Sequence, residues 1–190
     1  ADVKSHFPSD LASSETADLF LSVIMYRLKD KGRAAVILPD GFLFGTDNAK
    51  VNIKKKLLNE FNLHTIVRLP SSVFSPYTSI TTNILFFDKT GPTKETWIYR
   101  LDKPEGYKNF SKTKPMKLEH FEPVISWWHE RQEILVDGFD KIKKFSREDL
   151  EEKYAYNLDL CGYPHEEEVI LAPHDLIYQY QEERASLNAE

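Results

Sequence analysis

An apolar run at residues 34–38 most constrains what this chain can fold into. It follows Gly32 and ends at a Pro-Asp-Gly sequence, residues 39–41, so turn-forming residues bound it on both sides. Short uninterrupted apolar runs are typical of parallel strands that helices cover on both faces. The run therefore predicts an α/β fold with a strand at residues 33–38 that is buried on both faces.

The turn after this strand indicates where a functional site would lie. In parallel sheets, ligands bind just beyond the carboxyl ends of the strands. We therefore expect Pro39, Asp40 and Gly41 at the rim of a pocket. From the residues alone the alternative stays open, namely that this turn does nothing more than end the strand.

The first 101 residues have the hydrophobic periodicity of alternating helices and strands. The last strand is expected to pair with the one before it as an antiparallel hairpin, across the turn at residues 90–93. Residues 42–45 are interpreted as an apolar loop. The predicted helices are 16–30 and 48–61, and the predicted strands are 33–38, 63–69, 80–88 and 95–101.

The character of the sequence changes after residue 101, which predicts two domains: a partial α/β domain at 1–101 and a loop-rich, mostly helical extension at 102–190. In the extension we predict a helix at 120–132 that contains Trp127 and Trp128. A further helix start is predicted at 146–150, and an amphipathic helix at 173–189.

Lysines are concentrated in two places. Those of helix 48–61 are expected to form a solvated face: Lys50, Lys54, Lys55 and Lys56. Those of residues 107–117 are mixed with Tyr107 and Phe110, and this segment is interpreted either as a solvated loop or as a loop that contacts phosphates. The candidates for DNA contact are Lys108, Lys112 and Lys114.

The composition excludes several classes of protein. A net charge of −5 over 190 residues argues against a uniformly basic nucleic-acid-binding protein, but it is compatible with a local basic patch. One cysteine, Cys161, rules out an internal disulfide framework and suits a reducing cytoplasm. No apolar run approaches the length of a membrane span.

Standard active-site motifs do not occur in the sequence. It contains no CxxC or HExxH, so no metal site is predicted. It also lacks GxSxG, a P-loop and a GxGxxG turn after a strand. The six histidines are scattered, and we interpret each of them as a surface or structural residue. The residues alone therefore predict an α/β domain of unassigned activity.

Several stretches together resemble the modification subunit of type I restriction–modification systems, which are adenine-N6 DNA methyltransferases. The resemblance extends over nearly the whole chain and is specific through the combination of its motifs. The stretches that carry it are residues 15–21, 32–41, 62–70, 82–87, 91–94, 111–115 and 156–159.

This resemblance implies the later half of a Rossmann-like class I methyltransferase sheet. In that family a glycine-rich turn binds S-adenosylmethionine, and an Asn-Pro-Pro-Phe-type motif holds the adenine amino group. Neither is present here, and residues 1–14, where the second would be expected, lack such a tetrapeptide. The resemblance thus implies that the cofactor site lies mainly in an N-terminal part outside this chain. The chain begins with Ala1 instead of Met, so we expect a fragment that is inactive alone.

The family also implies roles for particular residues and partners. Phe74 matches an aromatic residue that stacks on the adenine after the base has left the duplex. Double-stranded DNA, a specificity subunit and a restriction subunit are the implied partners, and the cytoplasm is the implied location. Helix 174–188 and the Trp127–Trp128 segment are candidates for contact with the specificity subunit.

Two other interpretations remain open at this stage. One is a module without catalytic residues that holds a partner subunit or contacts DNA. The other is an unrelated nucleotide-binding α/β enzyme. In addition, if strand 33–38 lacks a neighbour, its free edge is a pairing hazard, and we expect the chain to dimerise or to be marginally stable.

Overall fold

The computed structural model describes residues 3–162, and within them a single six-stranded sheet carries helices on both of its faces. The strands are β1 (Arg33–Pro39), β2 (Asn62–Arg68), β3 (Thr82–Asp88), β4 (Glu95–Arg100), β5 (Ile134–Val136) and β6 (Phe139–Ser146). The helices are α1 (Thr16–Arg27), α2 (Asp40–Phe44), α3 (Asn48–Glu60) and α4 (Glu122–His129), with 3-10 turns at Val3–His6 and Leu118–Phe121 and a π-helical turn at Asp149–Lys153.

The sheet is mixed, with the strand order β1-β3-β2-β4-β6-β5. Only β2 and β4 run parallel to each other, and every other neighbouring pair is antiparallel. The prediction of an α/β fold with both strand directions is therefore confirmed.

The predicted hairpin between the third and fourth strands is wrong, because β2 lies between them. The connection crosses the start of β2 and is held there by Thr93. Its hydroxyl donates to Phe61 O at 2.7 Å and accepts from the Leu63 N–H at 2.9 Å. A short turn between two strands gave their relative direction correctly but not their adjacency.

Strand β1 is not buried on both faces as predicted. It pairs with β3 alone, so it forms an edge of the described sheet. Of its residues only Leu38 is fully buried, while Ile37 is 51% exposed. An apolar run shows what a strand could bury, whereas the neighbours present in the structure decide what it does bury.

Two apolar cores lie on opposite faces of the sheet. Helices α1, α2 and α3 cover one face around Leu57, Ile66 and Leu85, all of which are fully buried. Helix α4 covers part of the other face, where Val124 and Trp127 pack among the strand side chains. Residues 42–45, predicted to be a loop, mostly belong to the short helix α2, whose Phe42 and Leu43 are buried in the first core.

The described part of the extension is less helical than predicted. Strands β5 and β6 form a hairpin, and β6 continues the sheet by pairing with β4. Asp137 and Gly138 both have positive φ, as a tight hairpin turn with primed geometry requires. The boundary at residue 101 stays a prediction, although the sheet continues beyond it.

Helix α4 confirms the helix that was predicted around Trp127, in a shorter form. The helix predicted at 173–189, which includes the candidate contact helix 174–188, lies outside the described residues. Within residues 3–162 the structure contains no helix with the length and apolar character needed to cross a membrane.

Candidate functional site

A cluster of polar side chains lies where β1 and β2 end and β3 begins. The strand registers bring these points together at one edge of the sheet, since Arg68 faces Asn83 and Pro39 faces Thr82. Asp40 directly follows β1, and its N–H donates to Thr81 O at 3.0 Å. This is the carboxyl edge at which the sequence predicted a pocket rim.

Arg68 is the centre of this cluster. Its Nη1 donates to Asp159 Oδ1, and its Nη2 lies 3.7 Å from Asp40 Oδ1. The same Oδ1 accepts a hydrogen bond of 2.5 Å from Asn83 Nδ2. One guanidinium therefore joins the start of α2 to the segment after the π-helical turn.

Two polar atoms of the cluster are buried without a hydrogen-bond partner among residues 3–162: Arg68 Nε and Asn83 Oδ1. Leaving a buried donor or acceptor unpaired costs about 1–3 kcal/mol, so such atoms are rare. Sequence reasoning named Asp40 but not Arg68, Asn83 or Asp159. The available signal was a polar residue close to this edge in each of two neighbouring strands, Arg68 at the end of β2 and Asn83 near the start of β3.

The three predicted rim residues lie at this edge of the sheet. Pro39, Asp40 and Gly41 are all partly exposed. A Cβ added to Gly41 would meet no atom within 4 Å, so space is open beside this position. The structure thus places the three residues at the border of an open region, and their role there stays a prediction.

Phe74 lies in the loop between β2 and β3, which leaves the sheet at the same edge. Its side chain is 37% exposed and is not part of either apolar core. The loop has defined local structure. The Ser75 N–H donates to Ser72 O at 3.0 Å, and the Tyr77 N–H donates to Phe74 O at 2.9 Å. The loop therefore presents an aromatic ring from an ordered backbone.

The basic segment is attached to this loop. Phe110 is buried, and its N–H donates to Ser72 Oγ at 2.9 Å. Its ring packs against Tyr107 and His120. Lys108, Lys112 and Lys114 are exposed and form no ion pair within the described part of the chain.

A cleft of about 360 Å³ lies between the loop and the basic segment. Its lining is rich in hydroxyl groups, and Asn109 of the lining directly follows the exposed Lys108. The residues that line it are Ser71, Ser72, Ser75, Pro76, Thr78, Ser79, Asn109 and Phe110. Hydroxyl groups and lysines together are the usual donors to phosphate oxygens in nucleic-acid complexes.

Not all predicted site residues come together. No ring-stacking or cation–π contact within residues 3–162 links Phe74 to the Asp40–Arg68 cluster, although the loop that carries Phe74 ends at Thr81, whose carbonyl oxygen accepts from the Asp40 N–H. Trp127 is 6% exposed and its Nε1 donates to Gln132 O at 3.0 Å, so it is a core residue. Trp127 and Trp128 therefore pack in the second core, and their contact with a partner stays a prediction.

Two lysines of α3 are buried, which corrects the predicted solvated face. Lys54 is 1% exposed, and its Nζ donates to Leu43 O and Gly45 O at 2.9 and 2.8 Å. It thereby binds carbonyl oxygens at the end of α2, and burial lowers the pKa of Lys54 to about 8.

Lys50 is buried as well, at 8% exposure. Its ammonium group lies 3.1 Å from Asp18 and 3.2 Å from Asp47. Burial acts to lower the pKa of Lys50, but its hydrogen bonds and ion pairs with these two carboxylates raise it overall.

The described residues offer neither a reactive thiol nor a cluster of metal-ligating side chains. Burial raises the pKa of the Cys161 thiol to about 12, so the thiolate needed for nucleophilic attack is scarce. Residues 3–162 contain no cluster of His, Cys, Asp or Glu side chains that could hold a metal ion.

Comparison with known proteins connects this geometry to one family. The family model described as N-6 DNA Methylase matches residues 3–169. The methylase subunit of the type I restriction enzyme EcoEI from Escherichia coli is 46% identical over 187 residues. This alignment includes 97% of the present chain and 38% of that subunit.

Solved structures give the same result. A modification subunit assigned to a type I restriction enzyme from Vibrio vulnificus is 45% identical with a TM-score of 0.69, over 77% of this chain and 30% of that one. A structure on the complex assembly of the type I R-M system is 32% identical with a TM-score of 0.74, over 100% of this chain and 40% of that one.

The chain spans about 38% of the EcoEI methylase subunit, so it is similar to a part of that protein. The resemblance inferred from the sequence is confirmed, and the mixed α/β sheet is similar to the sheets of type I modification subunits. Because the family model matches most of its length, the chain belongs to the N-6 DNA methylase family.

Proposed function

We propose that this chain is part of a site-specific DNA methyltransferase that transfers a methyl group from S-adenosylmethionine to adenine N6 in a type I restriction–modification complex. Its sheet is then the later half of a Rossmann-like methyltransferase sheet. The chain supplies one wall of the target-base pocket and contacts to the DNA backbone. By itself it does not transfer a methyl group.

The observation that carries this proposal is the attachment of the basic segment to the Phe74 loop. The hydrogen bond from the Phe110 N–H to Ser72 Oγ holds the two together. The hydroxyl-lined cleft thus lies between Ser72 and Ser75 of the loop that carries Phe74 and Asn109 and Phe110 of the segment that carries the three exposed lysines. This is the combination that a protein needs to stack one extruded base and to hold the phosphates next to it.

Phe74 has the exposure that this role requires. A base amino group inside the duplex is out of reach, so the base must be extruded and stabilised outside the stack. Base–aromatic stacking contributes about 1–3 kcal/mol. A ring that is 37% exposed on an ordered loop can receive a base, whereas a core phenylalanine could not.

The described residues do not fit S-adenosylmethionine by themselves. β1 passes directly into α2 at Asp40, without a glycine-rich turn that would let a ligand approach the backbone. The carboxylates at this edge are already engaged, Asp40 by Asn83 and Asp159 by Arg68. We therefore assign the cofactor mainly to residues outside this chain and derive no step of methyl transfer here.

The proposed partners are double-stranded DNA and the specificity and restriction subunits of the complex. Support comes from relatives whose names place them in type I restriction enzymes and from a structure concerned with assembly of the type I R-M system. A net charge of −5 fits a subunit that leaves sequence recognition to a partner. Since such a complex acts on cellular DNA, we place the protein in the cytoplasm.

A second candidate function is a module without catalysis that assembles subunits or contacts DNA. The open edge of β1 and its exposed Ile37 favour it, because both suit a surface that another polypeptide covers. The two candidates differ in whether the chain takes part in the chemistry of methylation.

One experiment separates them. In a chimeric subunit, this chain replaces the matching 187 residues of the EcoEI methylase subunit, and the rest of the EcoEI enzyme is kept. We expect the chimeric subunit to transfer labelled methyl groups to DNA that lacks N6-methyladenine. A chimeric subunit that assembles and binds DNA but is inactive would support the assembly module.

The cofactor assignment has its own test. Calorimetry of the 190-residue chain with S-adenosylmethionine should give no binding heat, while the chimeric subunit should bind the cofactor. Binding by the 190-residue chain would show that the cofactor site has been misplaced.

A further inference from the structure

A second polar cleft lies at the opposite end of the sheet from Phe74. It has a volume of about 540 Å³ and is located where β2 and β4 begin. The groups that matter here are His64, Lys94, Glu95, Trp97 and Arg131, all of which line it. None of them belongs to the site described above.

Arg131 is held in place by two aromatic rings. Its guanidinium carbon lies 4.7 Å from the ring centre of Trp128 and 5.2 Å from that of Trp127. Within residues 3–162 it forms no hydrogen bond or ion pair. The guanidinium is thus oriented by packing, and its N–H donors remain for a ligand.

The other charges of the cleft compensate this positive charge only in part, because Glu95, the carboxylate that acts on Arg131, is shared with Lys144. Lys94 forms no ion pair within the described part of the chain. Glu95 is paired with Lys144 at 3.1 Å. Burial and the positive charge of Arg131 lower the pKa of His64. Asp88 is the remaining carboxylate close to His64.

The lining also contains an apolar wall. The Trp97 ring packs edge-on against Trp127 at 5.6 Å and borders the cleft together with Pro92. A bound group can therefore place a short aliphatic stem against this wall while its charged end meets Arg131. A planar guanidinium pairs best with a planar carboxylate through two parallel hydrogen bonds.

We propose that this cleft binds a glutamate or aspartate side chain of a partner protein. A dianionic phosphate is a poorer match because it would bring two negative charges close to Glu95 and Asp88, whereas a carboxylate brings one. A duplex bound at Phe74 would lie at the other end of the strands, on the order of 20 Å away for seven-residue strands. The inference does not depend on methyl transfer.

This proposal changes the role that was predicted for the tryptophan pair. Trp127 is too buried to meet a partner directly. Instead, Trp127 and Trp128 orient Arg131, and Arg131 makes the contact. A buried or partly buried guanidinium of this kind is typical of the residues that dominate protein–protein interfaces.

The test is a titration of the isotope-labelled 190-residue chain with N-acetylglutamate N-methylamide, followed by NMR at Arg131 Nε and the Trp128 indole. We expect saturable shifts at both groups. Arg131→Gln should weaken binding at least about tenfold, and Arg131→Lys, which keeps the charge but loses the planar fork, by at least about threefold. The exposed Arg33→Gln variant should bind as the unchanged chain does.

Three results would overturn the proposal: no saturable shift, equal binding by Arg131→Gln, or equal binding by Arg131→Lys. If the NMR spectrum of Arg131→Gln shows that this variant is unfolded, the affinity of Arg131→Lys alone tests the proposal. Inorganic phosphate and a short DNA duplex serve as competitors. Free glutamate is the reference competitor. If phosphate or the duplex displaces the probe at a lower concentration than free glutamate does, the cleft is a phosphate site and the assignment to a protein partner is wrong.

Discussion

Arg68 and Asp159 are 91 positions apart in the sequence and form an ion pair at the carboxyl edge of the sheet. The pair fixes the segment that follows the π-helical turn against the end of β2. A second link, from the Leu158 N–H to Leu43 O at 3.1 Å, ties the same segment to α2. The candidate site therefore depends on residues that are far apart in the described chain.

Breaking this pair should destabilise the chain. In Asp159→Asn the buried Arg68 keeps only Asp40, at 3.7 Å, as a nearby carboxylate. Because hydrogen bonds to charged groups contribute about 1.5–3 kcal/mol, we expect the free energy of unfolding to fall by a similar amount, measured by urea denaturation. The control is Glu60→Gln, which breaks the exposed pair with Lys56 and should cost less than about 1 kcal/mol. If the two variants lower the free energy of unfolding equally, burial of Arg68 does not strengthen its ion pair with Asp159.

Lys54 should make stability depend on pH. Its pKa is about 8 in the folded chain and 10.5 as the ordinary value, so between these values the unfolded chain binds more protons. Stability must then rise with pH, by up to about 1.4 kcal/mol per unit. The measured quantity is the difference in unfolding free energy between the unchanged chain and Lys54→Met, from denaturation at several pH values.

We expect this difference to grow in favour of the unchanged chain from about pH 8 to about pH 10.5. Lys55→Met, at an exposed position of the same helix, controls for the loss of a lysine. A difference for Lys54→Met that stays flat across this range would contradict a lowered pKa for the buried amine.

The buried lysines also show which features of α3 could be predicted from the sequence. Hydrophobic periodicity predicted the helix at 48–61, and apolar residues of α3 such as Leu58 are buried on its inward stripe. Lys54 lies four positions before Leu58 and therefore on the same stripe. Its charge suggested solvent, but the carbonyl oxygens at the end of α2 offer it partners. Helix geometry could be predicted, whereas a partner from another element could not.

The candidate site divides in the same way. Asp40 could be proposed because it directly follows a strand that the sequence shows, and Phe74 because the family resemblance implies its role. Arg68 and Asp159 could not be paired, because no local pattern joins positions that far apart. Sequence patterns could not predict which strands are neighbours either. β2 lies between β3 and β4 and pairs with both, and the hydrogen bonds of Thr93 hold the β3–β4 connection across the start of β2.

Removing the Phe74 ring should slow methylation by the chimeric subunit. Loss of about 1–3 kcal/mol of stacking corresponds to roughly a 5- to 150-fold lower rate for Phe74→Ala. Tyr77→Ala is the matched control, because Tyr77 is in the same loop and is 87% exposed. If Tyr77→Ala lowers the methylation rate more than Phe74→Ala does, Tyr77 and not Phe74 is the residue that stacks on the base. In urea, Phe74→Ala should cost less than the about 3–5 kcal/mol of a core phenylalanine.

The basic segment should give DNA binding a salt dependence. Replacing Lys108, Lys112 and Lys114 by Gln removes three exposed charges. If each contacts one phosphate, the slope of log affinity against log salt should become shallower by about 3. Fluorescence anisotropy of a labelled duplex over a range of NaCl concentrations measures this slope.

The control for this triple variant replaces three other exposed lysines by Gln: Lys29, Lys31 and Lys55. It removes the same charge at a distance from the Phe74 loop. We expect its salt slope to stay close to that of the unchanged chain. Equal slopes for the two triple variants would mean that net charge, and not the position of the basic segment, governs binding.

The open edge of β1 should make the chain associate with itself. Within residues 3–162, β1 pairs with β3 alone, and Ile37 is 51% exposed on it. An apolar strand with unpaired N–H and C=O groups is a template for another strand, and a lysine on such a strand opposes pairing. Sedimentation velocity should therefore show dimers or larger species of the unchanged chain as concentration rises. Ile37→Lys should shift the population to monomer without lowering the melting temperature, because the side chain it replaces is half exposed. A native chain that stays monomeric at the highest concentration reached, with a high melting temperature, would mean that this edge is already protected by its own structure.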